Sequence, residues 1–122
     1  MSDYPVVAIP KLWENTGSEN YKGGNSLWSV ARLIELSKDL PVFEAPIAAI
    51  CTDYTSFNSE NLTEFVAHMK RCLEVDTSRP IILASNGVIM DGRHRLARAI
   101  LDGRTTIKVV RFDVTPQPDS EG

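Results

Sequence analysis

The stretch Ile89-Met90-Asp91-Gly92-Arg93-His94-Arg95-Leu96-Ala97 reads as a strand that runs directly into the N-terminus of a basic helix. Such a junction suits an anion. First-turn amides at Gly92, Arg93 and His94 have no partner inside the helix, and the helix dipole favours negative charge at that end. Arg93 and Arg95 would add charge-assisted donors at the same point. Asp91 fits an N-cap, its carboxylate accepting from an early helical amide. Beside a phosphate it could also hold Mg²⁺ through water. His94 ordinarily titrates near neutrality, so its ring could relay a proton or donate to a phosphate oxygen. Alternatively it caps a neighbouring carbonyl. The chemistry suggested is phosphate recognition with a proton-handling group alongside.

The elements that must position this turn follow from patterning. Residues 1–25 form an irregular arm, broken by Pro5, Pro10 and Gly23-Gly24-Asn25, in which Trp13 and Tyr21, with Trp28 just beyond, are rings that usually pack. A lid or base-stacking role for this arm is the alternative. Residues Asn25 to Asp39 predict a helix with Leu27, Val30, Ala31 and Ile34 as its buried stripe, ended by Pro41. Val42 to Ile50 is short, apolar and interrupted by Pro46, as in an edge strand or strand pair. A polar connector follows from Cys51 to Ser56. The spacing of Leu62, Phe65, Val66, Met69 and Leu73 predicts a helix from about Asn58 to Glu74, with Asn61 and Glu64 as a capping pair.

Pro80-Ile81-Ile82-Leu83-Ala84 and Val88-Ile89-Met90 flank Ser85-Asn86-Gly87, a strong hairpin signal. The basic helix then spans Gly92 to Asp102, with Leu96, Ala99 and Ile100 inward and Gly103 as its stop. Thr106 to Phe112 alternates as a closing strand. The Pro-, Ser- and acid-rich segment 114–122 predicts a disordered tail. That leaves one domain, 26–113, between arm and tail.

A chain of 122 residues fits a single domain, and its net charge of −3 argues against a protein that coats DNA through bulk electrostatics. The positive charge is local, in Arg93, Arg95, Arg98, Arg104 and Lys108 against Asp102. Cys51 and Cys72 have no metal-ligand spacing and read as reduced thiols. No apolar run approaches the roughly 20 residues that span a bilayer, and no signal pattern opens the chain, so a cytoplasmic protein is expected.

The order strand, polar turn, helix, Asn-Gly hairpin, Asp-Gly-Arg-His-Arg helix and final strand resembles the ParB/sulfiredoxin superfamily over roughly residues 42 to 112. The residues that carry it are Glu44-Ala45-Pro46-Ile47-Ala48-Ala49-Ile50, the Leu62 to Leu73 helix, Pro80-Ile81-Ile82-Leu83 and Gly87 to Ala97. The resemblance implies an α+β fold, a small mixed sheet with packed helices, whose Gly-x-x-Arg helix N-terminus binds nucleotide phosphates. ParB proteins hydrolyse CTP as a clamp switch on DNA, sulfiredoxins use ATP to repair an over-oxidised cysteine, and some stand-alone members are small kinases with a similar Asp-Gly-His-His-Arg turn.

Departures narrow these expectations. Sulfiredoxins carry their catalytic cysteine where Arg93 stands here, and an arginine cannot perform sulfinate chemistry. ParB proteins continue into a helix-turn-helix and a dimerisation domain, neither of which follows Phe112, so a self-contained clamp is not expected. The resemblance makes Arg95 the phosphate-binding arginine, against the plainer reading of a solvent-exposed arginine paired with Asp91 or Asp102. It brings Thr52, Asp53 and Tyr54 to the phosphate turn, Asp53 as a general base and Tyr54 as a stacking ring. Asp53 could equally be a turn former, and Glu44 is a second carboxylate candidate. The leading expectation is a Mg²⁺-dependent phosphotransferase or nucleotide hydrolase acting with ATP, ADP or CTP. Its rival is a non-enzymatic adaptor that uses the arginine cluster to contact DNA or a partner protein.

Overall fold

A computed structural model describes residues 4–11, 20–23, 25–50 and 61–121. Among these, seven strands and three α-helices follow in the order β1 (Asn20–Gly23), β2 (Ser26–Ser29), α1 (Val30–Ser37), β3 (Phe43–Pro46), α2 (Leu62–Glu74), β4 (Ile81–Leu83), β5 (Ile89–Asp91), α3 (Arg93–Leu101), β6 (Thr106–Arg111) and β7 (Ser120–Glu121). The protein is a small α+β structure with mixed sheets. The larger sheet runs β3-β6-β4-β5, with β4 and β6 parallel and the other neighbours antiparallel. Pro46 sits on the edge strand β3, where its missing N–H costs no ladder bond.

Strict alternation along the central strands gives this sheet two apolar faces. Ile81, Leu83, Ile89, Ile107 and Val109 point one way and pack with Leu96 and Ala99 of α3. Ile82, Met90, Val110 and Phe112 point the other way, onto Leu33 of α1 and the half-buried Tyr21 and Trp28 of the small β1-β2-β7 sheet. The hairpin between β4 and β5 closes through Ser85-Asn86-Gly87, with Gly87 in the left-handed region at φ 88° and its amide donating to the Ala84 carbonyl. This is the predicted Asn-Gly turn.

Two helical expectations change. The predicted helix from Asn25 starts only at Val30, because Ser26-Leu27-Trp28-Ser29 pairs with β1 as a strand. Ser29 then caps α1, its hydroxyl accepting from the Arg32 amide at 3.3 Å. The shift moves the buried stripe, so that Leu33 is fully enclosed and Ala31 faces solvent. Helix α2 begins one residue after the predicted cap, Asn61, whose side chain accepts from the Glu64 amide at 3.0 Å. Its orientation is the surprise. Leu62, Phe65, Met69 and Leu73 are exposed, Leu62 at 75% of its surface, while Ala67 and Cys72 are buried. The face that packs inward is the one carrying His68 and Arg71 as well.

The tail, predicted to be disordered, is instead held against the small sheet. Ser120 and Glu121 extend β2 as an antiparallel strand, and the Asp119 amide donates to the Leu27 carbonyl at 2.7 Å. Asp119 accepts from the Ser29 amide at 2.6 Å and pairs with Arg32 at 2.9 Å. The Trp28 indole N–H donates to the Pro116 carbonyl at 2.8 Å. Composition argues for disorder only when nothing else satisfies the segment's polar groups, and here β2 offers a free edge.

Leu33→Ala should therefore cost about 2–5 kcal/mol in urea denaturation, as for other buried leucines, whereas Leu62→Ala should change stability by under about 0.5 kcal/mol. Equal losses for the two variants would mean that α2 faces the core as its spacing suggested.

Candidate functional site

The predicted turn lies where β5, the edge strand of the larger sheet, hands over to α3. The hand-over residue is Gly92, in the left-handed region at φ 107°. A Cβ there would lie 2.5 Å from Ile81 Cγ2 and 2.8 Å from Arg95 Nη2, so backbone conformation and space both require glycine. Gly92 is also the N-cap, which corrects the expectation for Asp91. No side chain caps α3.

Asp91 is engaged elsewhere. Its carboxylate Oδ2 accepts from Arg95 Nη2 at 2.7 Å, one helical turn on. Arg95 is only 5% exposed, so it is not the solvent-exposed arginine of the plainer reading, although Asp91 is the partner that reading named. Burial pulls its pKa down, and the Asp91 carboxylate opposes that shift. The buried cation is sustained by its partner, as buried pairs require. Its Nε is buried with no hydrogen-bond partner among the described residues. Such an orphaned donor is what an anion oxygen or an ordered water satisfies.

His94, in the first turn of α3, lies beside His68 of α2, with His68 Nδ1 and His94 Nε2 2.9 Å apart. The rings are parallel within 9° and their centroids 5.2 Å apart. That separation is about the bond length plus both ring radii, so the imidazoles meet edge to edge in one plane. His94 has its pKa lowered to about 4, first by burial, then by His68, Arg71, Arg95 and Arg93. Burial also lowers the His68 pKa, with Glu64 opposing. Arg93 reaches back to the small sheet, its guanidinium carbon 5.7 Å from the Tyr21 ring centroid, and Tyr21 in turn leans on Trp28 at 5.6 Å.

Arg71, Arg93 and Arg95 thus act on His94, and Arg79 acts on Arg95 from the loop after α2. This concentration of cations stands in a chain of net charge −3. Arg71 also borders a cleft of about 330 Å³ between Ile9-Pro10-Lys11 of the arm and Ala67, Lys70 and Glu74 of α2. Among the described residues no group of three His, Cys, Asp or Glu gathers as a metal site. One oxygen of the Asp91 carboxylate, Oδ2, is held by the Arg95 guanidinium.

Thr52, Asp53 and Tyr54 lie outside the described residues, as do Trp13 and Cys51. Glu44 is on β3, opposite Lys108 of β6, with β6 and β4 between it and the turn that follows β5. Cys72 is a buried free thiol whose pKa burial raises, in keeping with an inert structural cysteine. The sequence reading missed His68, Arg71 and Arg79. The signal lay in the i, i+3 spacing of His68 and Arg71, which puts them on the α2 face opposite Met69 and Leu73. No family model, no curated protein and no solved structure matches the chain.

Gly92→Ala should destabilise the fold by about 2–4 kcal/mol, combining left-handed strain with overlap against Ile81. The folded chain keeps His94 neutral down to about 4 while the unfolded chain protonates it from 6.5. The contribution is thus full above pH 6.5 and is lost as pH falls from 6.5 to 4. A thermal-melt series should show a shallower acid loss in His94→Gln than in the parent across that window. Parallel curves for the two would contradict the assigned environment.

Proposed function

We propose that this chain binds the phosphate groups of a nucleotide at the N-terminus of α3, and that phosphotransfer or nucleotide hydrolysis is the reaction class it serves. The observation that carries this reading is the arginine cluster around a helix N-terminus that glycine, not a side chain, opens. Backbone amides after Gly92 face the anion, Arg93 and Arg71 neutralise it, and Arg95 braces the turn from beneath. The neutral His94 suits proton acceptance rather than donation near pH 7. Positioning and charge neutralisation supply most of the catalysis in phosphoryl transfer, and the residues here supply those two things.

Support also comes from the order of elements. Edge strand, helix, tight hairpin, Gly-x-x-Arg helix and closing strand stand in the succession that the ParB/sulfiredoxin resemblance calls for, which makes the nucleotide the natural phosphate bearer. Mg²⁺ enters this reading as the counter-ion of the polyphosphate. Asp53 and Tyr54 keep their proposed roles as base and stacking ring within it. The cleft beside Arg71, at about 330 Å³, is at the small end of ligand pockets and would take the part of the nucleotide beyond its phosphates.

The adaptor reading draws on a different observation, the outward apolar row Leu62, Phe65, Met69 and Leu73 of α2. A single experiment separates the two. Thermal shift with ATP, ADP, CTP and GTP, each with and without Mg²⁺, should show stabilisation by at least one nucleotide, about 2.7 kcal/mol when the ligand is at a hundred times its Kd. Binding should persist without Mg²⁺ and weaken roughly tenfold in Arg93→Gln, the loss of one charge-assisted contact. No stabilisation by any nucleotide, together with a salt-sensitive shift on DNA, would replace this reading with the adaptor.

A further inference from the structure

The chain contains two histidines, and both are in one contact. They come from different helices, and their in-plane approach at 2.9 Å is the geometry of a nitrogen-to-nitrogen hydrogen bond, in which one ring donates and the other accepts. A neutral pair of this kind holds one N–H between two basic nitrogens. Adding a proton gives a charge-assisted bond in which the neutral ring stabilises its protonated neighbour. A second proton would place two cations in contact.

We propose that His68 is a positioning residue for His94, and that the two imidazoles together take up one proton when an anion enters the arginine cluster. The inference rests on the anion-binding reading above and adds a proton linkage to it. The surroundings give the sign. From α3, Arg93 and Arg95 act on His94, and from α2, Arg71 does, while Glu64 faces His68. Asp91 of β5 is bound to Arg95, and Arg79 and Asp76 of the loop after α2 act on that same guanidinium. The field at His94 is therefore positive when the site is empty, and the pair stays neutral. A dianion among those arginines reverses that field, and the cheapest further cation is a proton on the pair. His68 holds that proton by accepting from, or donating to, the His94 ring.

By linkage, an anion that raises the pair's pKa binds more tightly as pH falls, up to tenfold per pH unit between the free and bound midpoints. The free midpoint of His94 is about 4. Sulfate is a suitable probe because it remains a dianion over this range. With two histidines to follow, imidazole ¹⁵N resonances of the full chain can be titrated from about pH 3.5 to 8, with and without sodium sulfate. Saturating sulfate should move one imidazole midpoint up by about two pH units or more, and sulfate affinity should then rise about threefold or more from pH 7.5 to 5.5.

His68→Leu removes the acceptor. It should keep sulfate affinity at pH 7.5 within threefold and lose the rise on acidification, whereas His68→Gln, which retains an acceptor, should restore most of it. Sulfate binding that leaves both histidine titrations unmoved overturns the linkage while leaving the nucleotide reading standing. A rise that survives in His68→Leu overturns the role of His68. Failure of sulfate to bind at any pH removes this inference, and the nucleotide thermal shifts then decide whether the site reading goes with it.

Discussion

Everything at the proposed site depends on how β5 is joined to α3. The junction is one glycine wide, and it is packed from below by Ile81 and by the guanidinium of Arg95. A buried arginine is costly unless a carboxylate and good geometry compensate for lost hydration. Asp91 provides both, from the residue immediately before the turn. The consequence is geometrical. With its carboxylate bound to Arg95, Asp91 does not cap α3, and a glycine opens the helix instead.

The same pair shapes the electrostatics. Arg71, Arg93 and Arg95 act together on His94, whose ring burial keeps neutral, and Arg79 acts on Arg95. The chain as a whole is acidic. A local positive field in an acidic protein draws a small anion to one place without attracting polyanions over the whole surface. Tyr21 fastens Arg93 to the small sheet, so the two layers of the fold meet at this cluster rather than merely flanking it.

Much of this was legible in the sequence. Asn-Gly fixed the β4-β5 hairpin, Asn61 the start of α2, Gly103 the end of α3, and Asp-Gly-Arg-His-Arg the strand-to-helix junction. Gly103 illustrates why. Its amide bonds back to Ile100 and the Arg104 amide to Ala99, a stop that depends on a single residue's freedom at φ 73°. What could not be read depended on distant partners. Period alone makes the leucine row of α2 its buried face. The packing of α2 against α3, which brings His68 to His94 while Ala67 and Cys72 are buried, turns that row outward. Asp91 looked like a cap because caps are local, and its actual partner is set by the burial of Arg95. The residues of α2 in the cluster were invisible because nothing local in the sequence places that helix beside α3.

The strap made by residues 116–121 carries a consequence for biosynthesis. Strands β1 and β2 leave the ribosome before the other described elements and can pair with each other at once. Their third strand, β7, and the carboxylate of Asp119 that meets the start of α1, emerge only after every other described element has been made. The small sheet therefore cannot finish assembling vectorially. Until residues 116–121 have been made, the nascent chain carries an open strand edge at β2, with the Trp28 indole still awaiting its acceptor.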